Sequence, residues 1–275
     1  MPRQSYQSRC AIMIQAAFLG DHCSFNFGIR EIKAGLSEHQ ISWGANLIHT
    51  PSEPEIEQAI VALYLDRGVR CVSASAYLDL TLPLVRYRLT GIHAGPDGEV
   101  VAPNRVLAKV SRSEVARKFL SPAPARFVAA LVEEGSLTPE QAELAARIPV
   151  AEDVTAEADS GGHTDNRPLV VLLPRLQAVR DELQERFRYR TVPRVGAAGG
   201  LGTPRSVAAA FGLGAAYVVT GSINQGCREA GTSDRVRAML ATAGPTDVTM
   251  APAADMFEMG VDLQVLGRGT LFPVR

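Results

Sequence analysis

From Gly44 onward the apolar positions repeat one rhythm: a short apolar run, a polar or glycine-rich loop, then a stretch with helix start signals. GANLIHT (44–50) reads as a strand and PSEPEIEQAIVALYLDRG as the helix after it. In that helix Ser52 and Glu55 have capping-box spacing and Gly68 is the stop. VRCVSASAYL (69–78) is the next strand, and DLTLPLVRYRLTG the next helix, with Thr81 as its cap. HAGPDGEVVAPN carries Pro-Asp-Gly turn chemistry and reads as a surface hairpin before the strand RVLAKVS (105–111). DVTAEADSGG (153–162), PRVGAAGGLG (193–202) and AAYVVTGSIN (215–224) read as three further strands. Between them run the helices PLVVLLPRLQAVRDELQERF and PRSVAAAFGLG, the second capped by Thr203 with Pro204 at its first position.

Strands alternating with helices predict a parallel sheet covered by helices, and continuous apolar strands fit burial on both faces. Residues 112–152 interrupt the alternation with two helical runs, PARFVAALVEEG and TPEQAELAARI. In the second, Thr138 and Gln141 form a capping box around Pro139. A barrel would place such an insertion on its loop side, as a lid or substrate platform. The first 43 residues have no clear period, and CAIMIQAAFLG fits either a strand or a short helix. The expectation is an α/β chain of (β/α)₈ TIM-barrel type, abridged at the N-terminus. It comprises an atypical segment 1–43 and a barrel domain 44–275 with a helical insertion at 112–152.

Composition changes this picture little. The 275 residues are 46% hydrophobic, enough to bury a large core. A net charge of −1 gives no electrostatic footprint for nucleic acid or a membrane surface. No apolar run is long enough to span a bilayer. The four cysteines lack metal-ligand spacing, which fits a reducing compartment. Arg3, Arg9 and the apolar run 10–20 imitate a signal peptide. The polar lead is long and no small-x-small cleavage site follows, so a cytoplasmic location is expected. No GxSxG, HExxH or Walker pattern occurs, which removes the hydrolase and kinase readings.

In parallel α/β folds the chemistry collects beyond the carboxyl ends of the strands. GAAGGLGTP at one such end is either a phosphate cradle, with backbone N–H groups ahead of the Thr203-capped helix, or a tight strand-to-helix turn. Gly221 and Ser222 end the next strand, and phosphate binding by two late neighbouring barrel strands is recurrent. Lys109 ends an apolar strand, where its ammonium can face an electron-rich cofactor ring or snorkel to solvent. His163 follows two glycines at a strand end. There it is either a proton-transfer group, with Asp159 and Asp165 near in sequence, or a solvated loop histidine. His49 is a second candidate or a structural group, and His22, His39 and His93 read as surface residues.

EADSGGHTDNRP, VGAAGGLGTPRSVAAAFGLGA, VVTGSINQGCREAGTSD, PAADMFEMG and LQVLGRGTLFPVR resemble the PfaD-type trans-acting enoyl reductases. So do GANLIHTPSEPEIE and RCVSASAYLDLT. Those enzymes serve polyunsaturated fatty acid and polyketide synthases. They are similar to nitronate monooxygenases and flavin-dependent enoyl-carrier-protein reductases, which are FMN-binding TIM barrels. The resemblance implies FMN phosphate on the backbone at Gly199–Gly200 and Gly221–Ser222, flanked by Ala198 and Thr220. It implies Asn46 and Lys109 at the flavin ring, with Glu157, Gly161 and Gly162 beside it. His163 would be the proton donor. The implied reaction passes hydride from NAD(P)H through FMN to an enoyl thioester on an acyl carrier protein. Synthase partner proteins are implied as well, and a homodimer is compatible. The family pattern departs at two places: the N-terminal region is short for two strands and a helix, and the chain stops at FPVR. A nitronate monooxygenase-like oxidase, or a flavin-free remnant that only docks to synthase partners, are the alternatives.

Overall fold

The computed structural model describes residues 11–14, 29, 35, 42–160, 164–228, 230–252 and 262–269. The chain divides into two compact units, described in turn. The first holds Met1–Lys109, Arg117–Asp153 and Leu183–Pro193; the second holds Val110–Ala116, Val154–Glu182 and Arg194–Arg275.

In the first unit β1 (Ala11–Ile14), β2 (Ser42–Ile48) and β3 (Cys71–Ser75) lie side by side and parallel, with Ala11 opposite Ser42 and Ala45 opposite Val72. The N-terminal run with two readings is therefore a strand at 11–14. The Pro-Asp-Gly segment forms the expected hairpin, β4 (His93–Ala94) against β5 (Val100–Val101). β6 (Arg105–Val110) then joins β3 in parallel, Cys71 facing Arg105. Leu47, Val72, Ala74, Val106 and Ala108 are buried along these strands, as a helix-covered parallel sheet requires.

Helix α1 (Pro54–Asp66) connects β2 to β3. The expected Ser52–Glu55 capping box does not form, because Glu53 is the N-cap and makes no side-chain cap bond. Pro54, with its preset φ, takes the first helical position and leaves Ser52 outside the helix. Gly68 ends the helix as expected, at φ +61°. Helix α2 (Leu82–Leu89) is capped by Thr81, whose hydroxyl accepts from the Leu84 N–H at 3.4 Å. The insertion folds as α3 (Ser113–Phe119), α4 (Ala125–Glu133) and α5 (Pro139–Ala145). The Thr138–Gln141 capping box of α5 forms in both directions, at 3.3 and 3.0 Å. α3 lacks the apolar period that marked the other two. Val128, Val132, Ala142, Ala146 and Phe187 line an apolar groove of about 730 Å³ beside α4 and α5.

One side chain fastens this unit internally. Arg88, near the end of α2, is 1% exposed. Its guanidinium donates to the carbonyls of Asn104 (2.7 Å) and Pro149 (3.2 Å) and to the Glu152 carboxylate (3.2 Å). Asn104 donates in turn to the carbonyls of Tyr87 and Thr90, each at 2.9 Å. Arg105 holds the second Glu152 oxygen at 3.1 Å. Burial pushes the Arg88 pKa down, and the facing Glu152 carboxylate opposes that push.

In the second unit β7 (Asp153–Glu157), β8 (Arg194–Ala198) and β9 (Val218–Val219) are neighbours in that order, β9 parallel to β8 with Ala197 opposite Val218. Helix α6 (Leu169–Phe187) follows β7, and α7 (Pro204–Gly212) follows β8. β9 is shorter than the ten-residue run predicted, because the chain turns at Gly221 into the short helix α8 (Ser222–Gln225). Beyond α9 (Asp234–Thr242), β10 (Val248–Pro252) and β11 (Asp262–Leu266) form an antiparallel pair that the sequence pattern did not reveal.

Arg88→Ala should strand two buried carbonyls and the Glu152 carboxylate, lowering stability by about 2–4 kcal/mol. A urea titration reads this as a lower midpoint, and an unchanged midpoint would show that the network contributes nothing.

Candidate functional site

The first unit brings Asn46, Ser75, His49 and Glu57 together at the carboxyl ends of β2 and β3. Asn46 Oδ1 accepts from the Ser75 hydroxyl at 2.7 Å, and its backbone carbonyl accepts from the Tyr64 hydroxyl at 2.8 Å. These bonds fix the amide, so its nitrogen is the group left to address a ligand. Lys109 is half-buried one residue before the end of β6. His49 follows β2 directly, its Nδ1 3.0 Å from Oε2 of Glu57, and its ring stacks on Tyr77 at 5.0 Å. Glu57 is 2% exposed, and its other oxygen accepts from the Thr81 hydroxyl. Burial, then the Glu57 charge, pushes the Tyr77 phenol up. Glu57 and Thr81 were missed as site residues. Their only sequence signal was the cap spacing at Thr81.

The second unit builds the glycine ends of β8 and β9. Gly199 sits at φ +98°, and an added Cβ would lie 2.7 Å from the Ala158 carbonyl oxygen. This is a close backbone approach that only glycine permits. Gly200, at φ +66°, and Gly221 each have open space where a Cβ would point. The Gly202 N–H returns to the Gly200 carbonyl at 3.0 Å. Thr203 caps α7, and Ser206 completes a capping box whose second member the sequence pattern had not marked. At the end of β9 Asn224 holds the Thr220 backbone carbonyl at 2.9 Å. Gly221 and Ser222 are exposed, and Ala198 is buried. Glu157 is half-buried, and its backbone carbonyl accepts from the Ser111 hydroxyl at 2.8 Å. Gly196, two residues before Ala198, is obligatory for another reason: a Cβ there would meet the Tyr217 ring at 2.3 Å.

Gly161, Gly162 and His163 lie outside the described residues, but the residues flanking them are defined. The Asp159 N–H donates to the Arg167 carbonyl at 3.1 Å, and Asp159 Oδ1 accepts from Gln264 at 3.0 Å. Arg112 grips both Asp165 oxygens, at 2.7 and 3.0 Å. Hydrogen bonding from Arg112 holds the Asp165 carboxyl below the usual carboxylate range. The clamp is thus fully formed above that range and is lost as pH falls through the depressed value. Both aspartates considered as partners for His163 therefore have other partners in the described structure. His93 is exposed, as expected, while His22 and His39 are outside the described residues.

The residues present fit an FMN phosphate. The two glycine turns follow paired strands, and Gly200 and Gly221 leave open space beside their backbone. Among the described residues no group of three or more His, Cys, Asp or Glu is arranged for a metal, and no helix is long and apolar enough to cross a membrane.

No protein-family model matches the chain. Over 249 residues, 90% of its length, it is 49% identical to a polyunsaturated fatty acid synthase component of Thraustochytrium sp., of which it spans 16%. It is 46% identical over 247 residues to the polyketide biosynthesis protein PksE of Bacillus subtilis, covering 90% of this chain and 32% of PksE. The enoyl reductase domain of MlnA, from the macrolactin biosynthesis cluster of Bacillus amyloliquefaciens, matches with a TM-score of 0.89 at 40% identity. That match covers 96% of this chain and 59% of the MlnA chain. FabK of Thermotoga maritima, 20% identical with a TM-score of 0.53 over 88% of this chain and 60% of its own, shares the fold. The chain thus spans less than two thirds of each relative. The resemblance drawn from the motifs holds, and the fold is α/β of the TIM-barrel type.

Gly199→Ala should cost about 2–4 kcal/mol, because backbone strain adds to a clash with Ala158. Gly200→Ala, strained but unobstructed, should cost only about 1 kcal/mol. Thermal melts of the two variants check the order, and equal losses would deny the close approach at Gly199.

Proposed function

We propose, from its homology to segments of polyunsaturated fatty acid and polyketide synthase proteins, that the chain is an FMN-dependent enoyl reductase. It acts in trans on enoyl thioesters carried by an acyl carrier protein, as part of a cytoplasmic synthase. The observation that carries this reading is the likeness to an enoyl reductase domain over nearly the whole chain. The open glycine turns after β8 and β9 support it.

FMN, when bound, would supply the redox chemistry that links NAD(P)H to reduction of the enoyl thioester. The chain's own residues bind, orient and move a proton. Backbone N–H groups of Gly199, Gly200, Gly221 and Ser222 hold the phosphate, with Ala198 and Thr220 completing the turns. Asn46 and Lys109 would address the ring, with Glu157, Gly161 and Gly162 beside it. The Asn46 amide is already oriented by Ser75, so it meets the ring without reordering. His163 delivers the proton that completes the α-carbon. Synthase proteins are the partners, and self-association as a homodimer belongs to the same reading.

The test is spectral and kinetic. Purified protein incubated with FMN should show flavin bands and oxidise NADPH with an enoyl thioester. Turnover only with a nitronate and oxygen points to the oxidase instead, and protein that stays colourless points to a docking remnant. His163→Ala should keep the flavin bands and lose about 10²-fold or more in turnover. Intact turnover in that variant removes His163 as the proton carrier.

A further inference from the structure

The pair His49–Glu57 is an arrangement that the proposed flavin site does not use. Glu57 lies in the first turns of α1, where the helix dipole favours an anion, yet it is 2% exposed. A carboxylate that buried needs partners, and the Thr81 hydroxyl meets one oxygen and His49 Nδ1 the other. The residue is fixed at three points, two of them on its ring. Its backbone N–H donates to the Ser75 carbonyl at 3.0 Å, its Nδ1 meets Glu57 at 3.0 Å, and its face stacks on Tyr77 at 22° between planes. Tyr77 is itself held edge-on by Phe119 at 6.1 Å. The His49 side chain remains 22% exposed, and among the described residues no hydrogen bond reaches its Nε2.

A histidine that served packing alone would not need a buried carboxylate behind one nitrogen while the other stays at the rim. A carboxylate can only accept, so Nδ1 carries a proton and the ring is oriented with Nε2 at the rim. It stands three residues along the chain from Asn46, at the same strand end.

We infer that His49, positioned by Glu57, is a further catalytic residue whose Nε2–H donates a hydrogen bond to the thioester carbonyl oxygen of the substrate. The inference rests on the enoyl reductase reading. Hydride arriving at the β-carbon pushes the electron pair of the double bond toward that oxygen, and a preorganised N–H donor stabilises the developing charge. His49 keeps its own proton throughout, and the α-carbon proton comes from another donor.

Two measurements test it. In the unliganded protein at the assay pH, ¹⁵N imidazole shifts should show a proton on both ring nitrogens of His49; a bare Nε2 overturns the proposal. In the flavin-loaded enzyme, His49→Asn keeps an amide where Nδ1 sits, so it can still bond Glu57, but it places nothing at Nε2. Flavin reduction by NADPH should be unchanged, while flavin reoxidation by the enoyl thioester slows about 10²-fold. Reoxidation at the native rate overturns the proposal. Should that variant not fold, Glu57→Gln preserves an acceptor for Nδ1 without the charge. It should slow the same half-reaction about 10-fold or more, and an unchanged rate again overturns the proposal. If the native protein reduces no enoyl thioester, the functional reading fails on its own, before either variant is compared.

Discussion

The first unit depends on a single buried guanidinium. Arg88 reaches from α2 to the backbone that starts β6 and to the segment that precedes β7. None of these contacts is local in sequence: Pro149 and Glu152 are 61 and 64 residues away. A buried cation with carbonyls on two sides tolerates few geometries, because every lost bond leaves a desolvated polar group. The network therefore fixes where β6 begins, and with it the position of Lys109 at the other end of that strand.

The second unit uses a steric constraint instead. Gly199 lies against the Ala158 carbonyl, and Gly196 lies under the Tyr217 ring, so the middle of β8 and the turn after it are both held by the absence of side chains. The Tyr217 hydroxyl then meets Thr155 at 2.9 Å, tying β7 to the turn before β9. A polar clamp, Arg112 with Asp165, secures the chain on the far side of the His163 segment. Close packing and paired charge thus fix the described residues that flank positions 161–163.

What could be read from the sequence follows from range. Caps at Thr81, Thr138 and Thr203 were legible because a hydroxyl and an N–H three residues on make a local contract. The strand-helix rhythm was legible because buried parallel strands carry continuous apolar runs. Ser52 misled because Pro54 set the helix start one residue later than the capping pattern suggested. α3 and the β10–β11 pair were not legible, since short elements with mixed polarity carry no period. The His49–Glu57 contact was hidden for a different reason. It joins a strand end to a helix that folds back over it, and no spacing rule links a histidine to a carboxylate eight residues on. The glycine cradles were visible as composition, but which glycine was obligatory emerged only from the Ala158 contact.

Thr81 has two jobs at once: it caps α2 through the Leu84 N–H and donates to Glu57. α2 therefore begins at the His49 support and ends one residue after Arg88. It behaves as a short strut with a polar joint at each end, and its eight residues leave little slack to absorb a shift. A change in the hydrogen-bonding load on Glu57 would be felt at Thr81 and carried along a rigid element toward the Arg88 network. Functional tuning at one end of this helix is thus mechanically constrained by fold stability at the other, which narrows the substitutions that either end can accept.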